Sequence, residues 1–344
     1  MTVEQAGPAT LAPGEPAQPP PGGTIPKRRR FRFGPEELFV PGVLVALVIL
    51  LSVNTDVFLT RNNLLNVATS MALLAIVTFG QTYVVGAGGF DLSIGSQVAL
   101  HGAVAAIVMA GTGSILAGIL AGLAAGLVFG LVNGLLVITL KAHPFMITLG
   151  TLVIGKGLAL IITHAESVGG LPASIAGFGL NRPLGLPWMV WLMIGCFVVA
   201  AFGLAVSPFG LRVLATGGNR EAARLAGIRV DRVVVSVFVI SALFAAVAGI
   251  ATTARLQSAQ PTVGAQLELF SVAAVVLGGS ALHGGDASMA RSLMGVALIA
   301  VIQNGLNLLS VGDAWQQVAI GVVFIVAMSA ALLRGVSLPR RRRA

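Results

Sequence analysis

Ten stretches of this chain are apolar for roughly the 20 residues that a helix needs to cross a bilayer, and no other feature restricts its fold so severely. They run at about 36–54, 64–86, 91–111, 114–140, 144–163, 187–207, 233–254, 267–282, 292–310 and 315–333. With 56% of its 344 residues hydrophobic and 10% charged, the chain holds more apolar surface than one soluble core can hide. The expected fold is therefore an all-α, polytopic transmembrane helical bundle of about ten spans.

The ends read differently. Residues 1–26 are rich in Pro, Gly and Ala without an apolar run, the composition of a disordered tail and not of a cleaved signal. The expected organisation is a basic cytoplasmic tail at 1–35, a transmembrane domain at 36–335 and a second basic tail at 336–344. A single cysteine, Cys196, excludes an internal disulfide.

Charge then orients the spans, because Lys and Arg collect on the cytoplasmic side. With ten spans and the N-terminus inside, seventeen of the 21 basic residues face the cytoplasm. They include Lys27 to Arg32, Arg212, Arg220, Arg224, Arg229, Arg232 and Arg340 to Arg343. Arg61, Arg182 and Arg255 fall outside, and Lys156 falls within a span. Both termini are then cytoplasmic. The net charge of +9 reports topology, not a nucleic-acid partner.

One cytoplasmic stretch, "GGNREAARLAG" (217–227), interrupts the apolar pattern. Asn219 suits a helix N-cap, Glu221 complements the positive end of the dipole, and Gly227 suits a left-handed C-terminal position. Some seven residues between them make two turns, too few for stability alone in water. Ala222, Leu225 and Ala226 form a small apolar face, Ala223 keeps the profile slim, and Arg220, Arg224 and Arg229 supply a basic flank. Such a helix either lies on its own protein's surface or inserts as a peg into a groove of another, soluble protein.

At this point the residues carry a resemblance. "FGLRVLATGGNREAARLAGIRVDRV" (209–233) resembles the cytoplasmic coupling loop, expected here at 208–232, of ABC-transporter permeases of the ribose-type sugar uptake family. "GGFDLSIGS" (88–96) is similar to that family's glycine–aspartate segment, and 278–321 to its C-terminal block. The similarity covers about residues 40 to 335. It implies the permease fold of a binding-protein-dependent ABC importer in the bacterial plasma (inner) membrane. It further implies an ATP-binding subunit docked on the helix at Gly218 to Gly227, an external substrate-binding protein, and a second permease copy or paralogue forming a dimer.

Three Gly- or Pro-rich joints fall on the same face as that helix: "VGAGGFDLSIGS", "KAHPFMITLGT" and "LGGSALHGGDASM". Broken backbone at membrane depth survives only within protein or beside a water-filled cavity, and transport sites are often built from it. The candidate pathway and gate residues are Gly88, Gly89, Asp91, Ser93, Ser96, Pro144, Phe145 and Thr148. Asn304 and Asn307, three apart on one helical face, add neutral amides suited to sugar hydroxyls, although such amides also bind helices together. Asp91 reads either as a cap of the third span or as a proton- or substrate-binding carboxylate. Lys156 either snorkels towards an interface or pairs within the bundle.

"GTLVIGKG" (150–157) imitates a phosphate-binding loop, but Gly157 lacks the hydroxyl for magnesium and the segment lies in a span. The chain therefore carries no cofactor site of its own, and ATP belongs to a partner. Asp, His and Cys are too few and scattered for a catalytic cluster. The sequence reads as a sugar or polyol permease, with a branched-chain amino-acid-type ABC permease or a proton-coupled secondary transporter as the alternatives.

Overall fold

The structure, a computed structural model, describes residues 39–312, 314–319, 321, 322, 325 and 329. The predicted tails and much of the run at 315–333 lie outside the described residues. Among the described residues up to Leu308, twelve α-helices follow in order: α1 (Phe39–Asn54), α2 (Arg61–Gly86), α3 (Ile94–Thr112), α4 (Ile115–Leu140), α5 (Pro144–Ile162) and the short α6 (Ala176–Leu180). The second half comprises α7 (Trp188–Ala205), α8 (Pro208–Gly218), α9 (Arg220–Leu225), α10 (Val230–Leu256), α11 (Leu267–Leu277) and α12 (Met289–Leu308). Seven of these are long and apolar enough to span a membrane: α2, α3, α4, α5, α7, α10 and α12.

One expected span is shorter than anticipated. Helix α11 has 11 residues in place of the run at 267–282. At 1.5 Å per residue, α11 is only about 16 Å long, half a bilayer. Its run is broken at Gly278 and Gly279, the latter at φ +88°.

The core is built on three buried helices, α2, α3 and α10. From Ala72 to Gly86 every residue but Leu73 is buried, and α7, α10, α11 and α12 pack around it. Apolarity on all sides of a helix is the mark of such a position. Thr82 Oγ1 donates to Ser292 Oγ at 2.9 Å, tying α2 to α12.

Helix α4 packs through a glycine stripe. Gly118, Gly122, Gly126, Gly130 and Gly134, four apart and hence on one face, are buried, whereas Leu116, Leu120, Val128 and Leu135 point outward. A Cβ at Gly130 would lie 2.6 Å from Val239 Cα, and one at Gly134 2.7 Å from Val235 Cα. The α4 and α10 backbones therefore nearly touch. Lipid supplies no hydrophobic drive between helices, so this close van der Waals contact holds the pair.

Candidate coupling and translocation site

The three glycine joints predicted from sequence meet at one end of the bundle, beside α8 and α9. The N–H of Gly285 donates to the Gly86 carbonyl at 3.0 Å. A Cβ at Gly284 would lie 2.6 Å from Gly88 N and 2.8 Å from Gly217 Cα. Gly88 and Gly284 have φ of +79° and +87°, where an L side chain is strained. Three loops thus interlock through bare backbone: the α2–α3 joint, the α11–α12 joint and the end of α8. The α4–α5 joint closes the fourth side. Pro144 packs on Gly89, where a Cβ would sit 3.3 Å from its Cγ, and Thr148 Oγ1 donates to the Phe90 carbonyl at 3.2 Å. Phe145 is exposed at the rim. His143 caps α5 by accepting from Phe145 N at 3.3 Å.

Helix α9 sits immediately below this interlock. Asn219 Oδ1 accepts from Ala222 N at 2.9 Å, and Gly227 adopts φ +80°. The Ile228 N–H donates to the Ala223 carbonyl at 3.0 Å, which closes the helix after six residues. Gly218, Glu221, Ala222, Leu225 and Ala226 are exposed, Leu225 to 84%. One expectation is corrected. Ala223 is 4% exposed and packs inward, so its small size serves contact with this chain's own core and not the outer profile. Burying Ala223 turns the 222–225–226 face outward. A cleft of about 500 Å³ flanks α9, lined by Phe209 and Ile228 together with Arg212, Arg229 and Arg232.

Asp91 lies deeper, above the interlock, and is fully buried. Its Oδ1 accepts from Ser93 N at 3.0 Å and from the Ser93 hydroxyl. Its Oδ2 accepts from Ser241 Oγ at 2.8 Å and Gln97 Nε2 at 3.3 Å. Asn133 Nδ2 and Gln97 Nε2 each donate to Ser93 Oγ at 2.8 Å. The Gln81 carboxamide, turned to satisfy both its ends, bonds the backbone of Asp91 at 3.1 and 3.3 Å. Four helices are joined at this node: α3 and α10 through the carboxylate, α2 through the Asp91 backbone and α4 through Ser93.

The residue heading α3 is Ser93, not Asp91, and its side chain makes no cap bond to the helix. Asp91 reaches Ser93 N from two residues before, as part of a node that spans 150 positions of sequence. Ser96 Oγ completes the turn by donating to the Ser93 carbonyl at 2.8 Å. Four donors thus converge on the two carboxyl oxygens.

The remaining predicted residues lie elsewhere. Asn304 and Asn63 exchange amide bonds at 2.8 and 3.0 Å, joining α12 to α2. Asn307 accepts from Gln316 at 2.9 Å. Neither joins the Asp91 node; Asn304 binds two helices together, the alternative that such amides carry, and Asn307 holds the segment that follows α12. Lys156 Nζ stands 4.0 Å from Glu268 Oε1. Sequence reading missed Glu268, Gln81, Gln97, Asn133 and Ser241. Each is a polar residue within an apolar run, which is a signal, but their convergence is set by packing alone.

Comparisons with known proteins bear on the same residues. Residues 63–328 match the family described as "Branched-chain amino acid transport system / permease component". The ribose import permease protein RbsC of Bacillus subtilis (strain 168) is 41% identical over 288 residues, 83% of this chain and 89% of that protein. The L-arabinose transport system permease protein AraH of Escherichia coli (strain K12) is 35% identical over 286 residues, 83% and 87% of the two chains. The D-allose transport system permease protein AlsC of the same strain is 33% identical over 292 residues, 85% and 89%. No solved structure matches the chain.

Proposed function

The chain belongs to the family of ABC-importer permeases that includes the ribose permeases, and from that premise we propose that it moves a monosaccharide or related polyol through the bacterial plasma membrane. Its cargo arrives from an external binding protein, and its energy from an ATP-binding subunit on the cytoplasmic side. Both termini are cytoplasmic, and a second permease copy or paralogue completes the pore.

The observation that carries this reading is the interlock of the α2–α3, α11–α12 and α8 backbones above α9. A push on α9 reaches Gly217 and Gly218 within one turn. It then passes to Gly86–Gly88 and Gly284–Gly285 without a soft side chain between them. Coupling of this kind needs a rigid two-state element shared by both sites. Bare backbone contacts supply the rigidity, and the glycines leave the loops room to re-form around a second arrangement.

The exposed 222–225–226 face is the docking surface for the ATPase. Ala222→Arg with Leu225→Arg changes only outward-facing side chains. The double variant is expected to insert normally, to lose co-purification with the ATPase and to lose uptake. Co-purification at wild-type yield would refute the docking assignment. In the same assay Ala223→Arg is expected to lower the amount of folded permease, because it forces a charge into the core.

A further inference from the structure

Helix α11 begins deep in the bundle, and the chain reaches it unwound. Val168 and Ala259 exchange backbone hydrogen bonds at 2.9 and 3.0 Å, and Ala259 packs with Ala103 and Ala106 in the upper half of α3. Five residues later Gly264, at φ +89°, lies against the Gly95 carbonyl near the start of α3. Between these points the chain descends alongside α3 without forming a helix. Gln257, Gln260, Thr262 and Gln266 are exposed along it.

Lys156 adjoins the bottom of this strip. It lies twelve residues beyond Pro144, about 18 Å up α5. Its side chain is 49% exposed, though Val153, Ile154, Leu160 and Ile161 around it are apolar. Glu268, in the first turn of α11, is 7% exposed, and its Oε2 has no hydrogen-bond partner. A half-exposed ammonium at this depth is costly against lipid. Unwound backbone at this depth needs protein or water beside it. Both requirements are met if this face lines an aqueous path.

We propose that Lys156, Glu268 and the unwound segment Gln257–Gln266 form the solute-contacting wall of the transport path, shaped for an uncharged polyhydroxylated solute. The inference rests on the importer reading for its cargo. A vicinal diol offers a donor and an acceptor side by side. Lys156 can donate to one hydroxyl oxygen while Glu268 Oε1, the carboxylate oxygen that faces it, accepts from the neighbouring hydroxyl. The 4.0 Å separation of the pair is long for a closed ion contact, so the two groups can engage a solute without first breaking a tight bond. Amides at Gln260 and Gln266 and the Thr262 hydroxyl extend the same donor and acceptor chemistry along the strip.

The test is thiol accessibility in the full chain, reconstituted in liposomes with its ATPase and binding protein, after Cys196→Ala removes the native thiol. Thr262→Cys and Gln266→Cys leave the ion pair intact. Both are expected to react with a trimethylammonium methanethiosulfonate about a hundredfold faster than Val128→Cys on the outer face of α4, the discrimination that the cost of a charge in hydrocarbon gives. Rates equal to that of Val128→Cys would overturn the aqueous wall. A second measurement separates solute contact from a structural ion pair. With D-ribose as probe, Lys156→Gln combined with Glu268→Gln is expected to raise the KM for uptake about tenfold, one charged hydrogen bond's worth. A wild-type KM in that double variant would overturn the contact. Failure of the importer reading shows separately, as absent ATP-dependent uptake by the wild-type chain, and leaves the labelling result to decide the wall.

Discussion

Replacing Asp91 tests the node that joins four helices. The carboxylate receives four donors: Ser93 N, Ser93 Oγ, Ser241 Oγ and Gln97 Nε2. Asp91→Ala strands all four in a dry interior. Each donor left buried without its acceptor costs about 1–3 kcal/mol. Some donors find each other, as Ser93 and Ser241 hydroxyls can rotate, so the loss is expected near 4 kcal/mol and not the full sum. Asp91→Asn keeps one oxygen for the two Ser93 donors. Its NH2 replaces Oδ2 and faces Ser241, which can turn to accept, and Gln97 Nε2, which cannot. The expected loss is one to two bonds, about 2 kcal/mol. Ser241→Ala removes a single donor and should cost about 1–2 kcal/mol. Thermal unfolding of purified protein in detergent is expected to rank the variants wild type, Ser241→Ala, Asp91→Asn, Asp91→Ala. A helix cap alone would make Asn nearly neutral, since Asn caps about as well as Asp. Asp91→Asn as stable as wild type, or Ser241→Ala without effect, would refute the cross-helix account.

The glycine stripe offers a sign test: Gly130→Ala places a Cβ 2.6 Å from Val239 Cα and should destabilise by about 1–3 kcal/mol, whereas Gly150→Ala meets nothing within 4 Å and should be neutral or stabilising in the same melt. At the interlock, Gly284→Ala puts a Cβ 2.6 Å from Gly88 N on a left-handed backbone, and is expected to reduce ATP-driven uptake sharply while the ATPase still co-purifies. Topology is open to direct reading: in a Cys196→Ala background, Arg220→Cys should react with an impermeant thiol reagent only after the cytoplasmic face is opened, and Asn181→Cys should react in intact cells.

What the sequence determined by itself is everything that local chemistry decides. Apolar runs near 20 residues dictated membrane helices, because an unpaired backbone in hydrocarbon is too costly. The structure gives seven of sufficient length, among them α2, α4 and α10. The caps of α9 were legible for the same reason: Asn219 and Gly227 act on groups within a few residues of themselves. The positions of the glycine joints were legible as breaks in hydropathy.

Tertiary structure decided what the breaks do. Periodicity alone placed Ala222, Leu225 and Ala226 together, but only packing against the core shows that Ala223 is the buried side and those three the free one. Asp91 read locally as a cap because its partner Ser241 is 150 residues away. Asn304 read as a candidate for a sugar because nothing in the sequence reveals Asn63 opposite it, 241 residues away. The run at 267–282 read as one span because hydropathy averages over Gly278 and Gly279, whereas backbone conformation does not. Glu268 was passed over as the one carboxylate of that run. It gains meaning only where α5 brings Lys156 to within 4.0 Å of it. Helix spacing and capping are written in neighbouring residues. The meeting of distant polar groups is fixed by how closely the helices can approach, as at the glycine seam between α4 and α10.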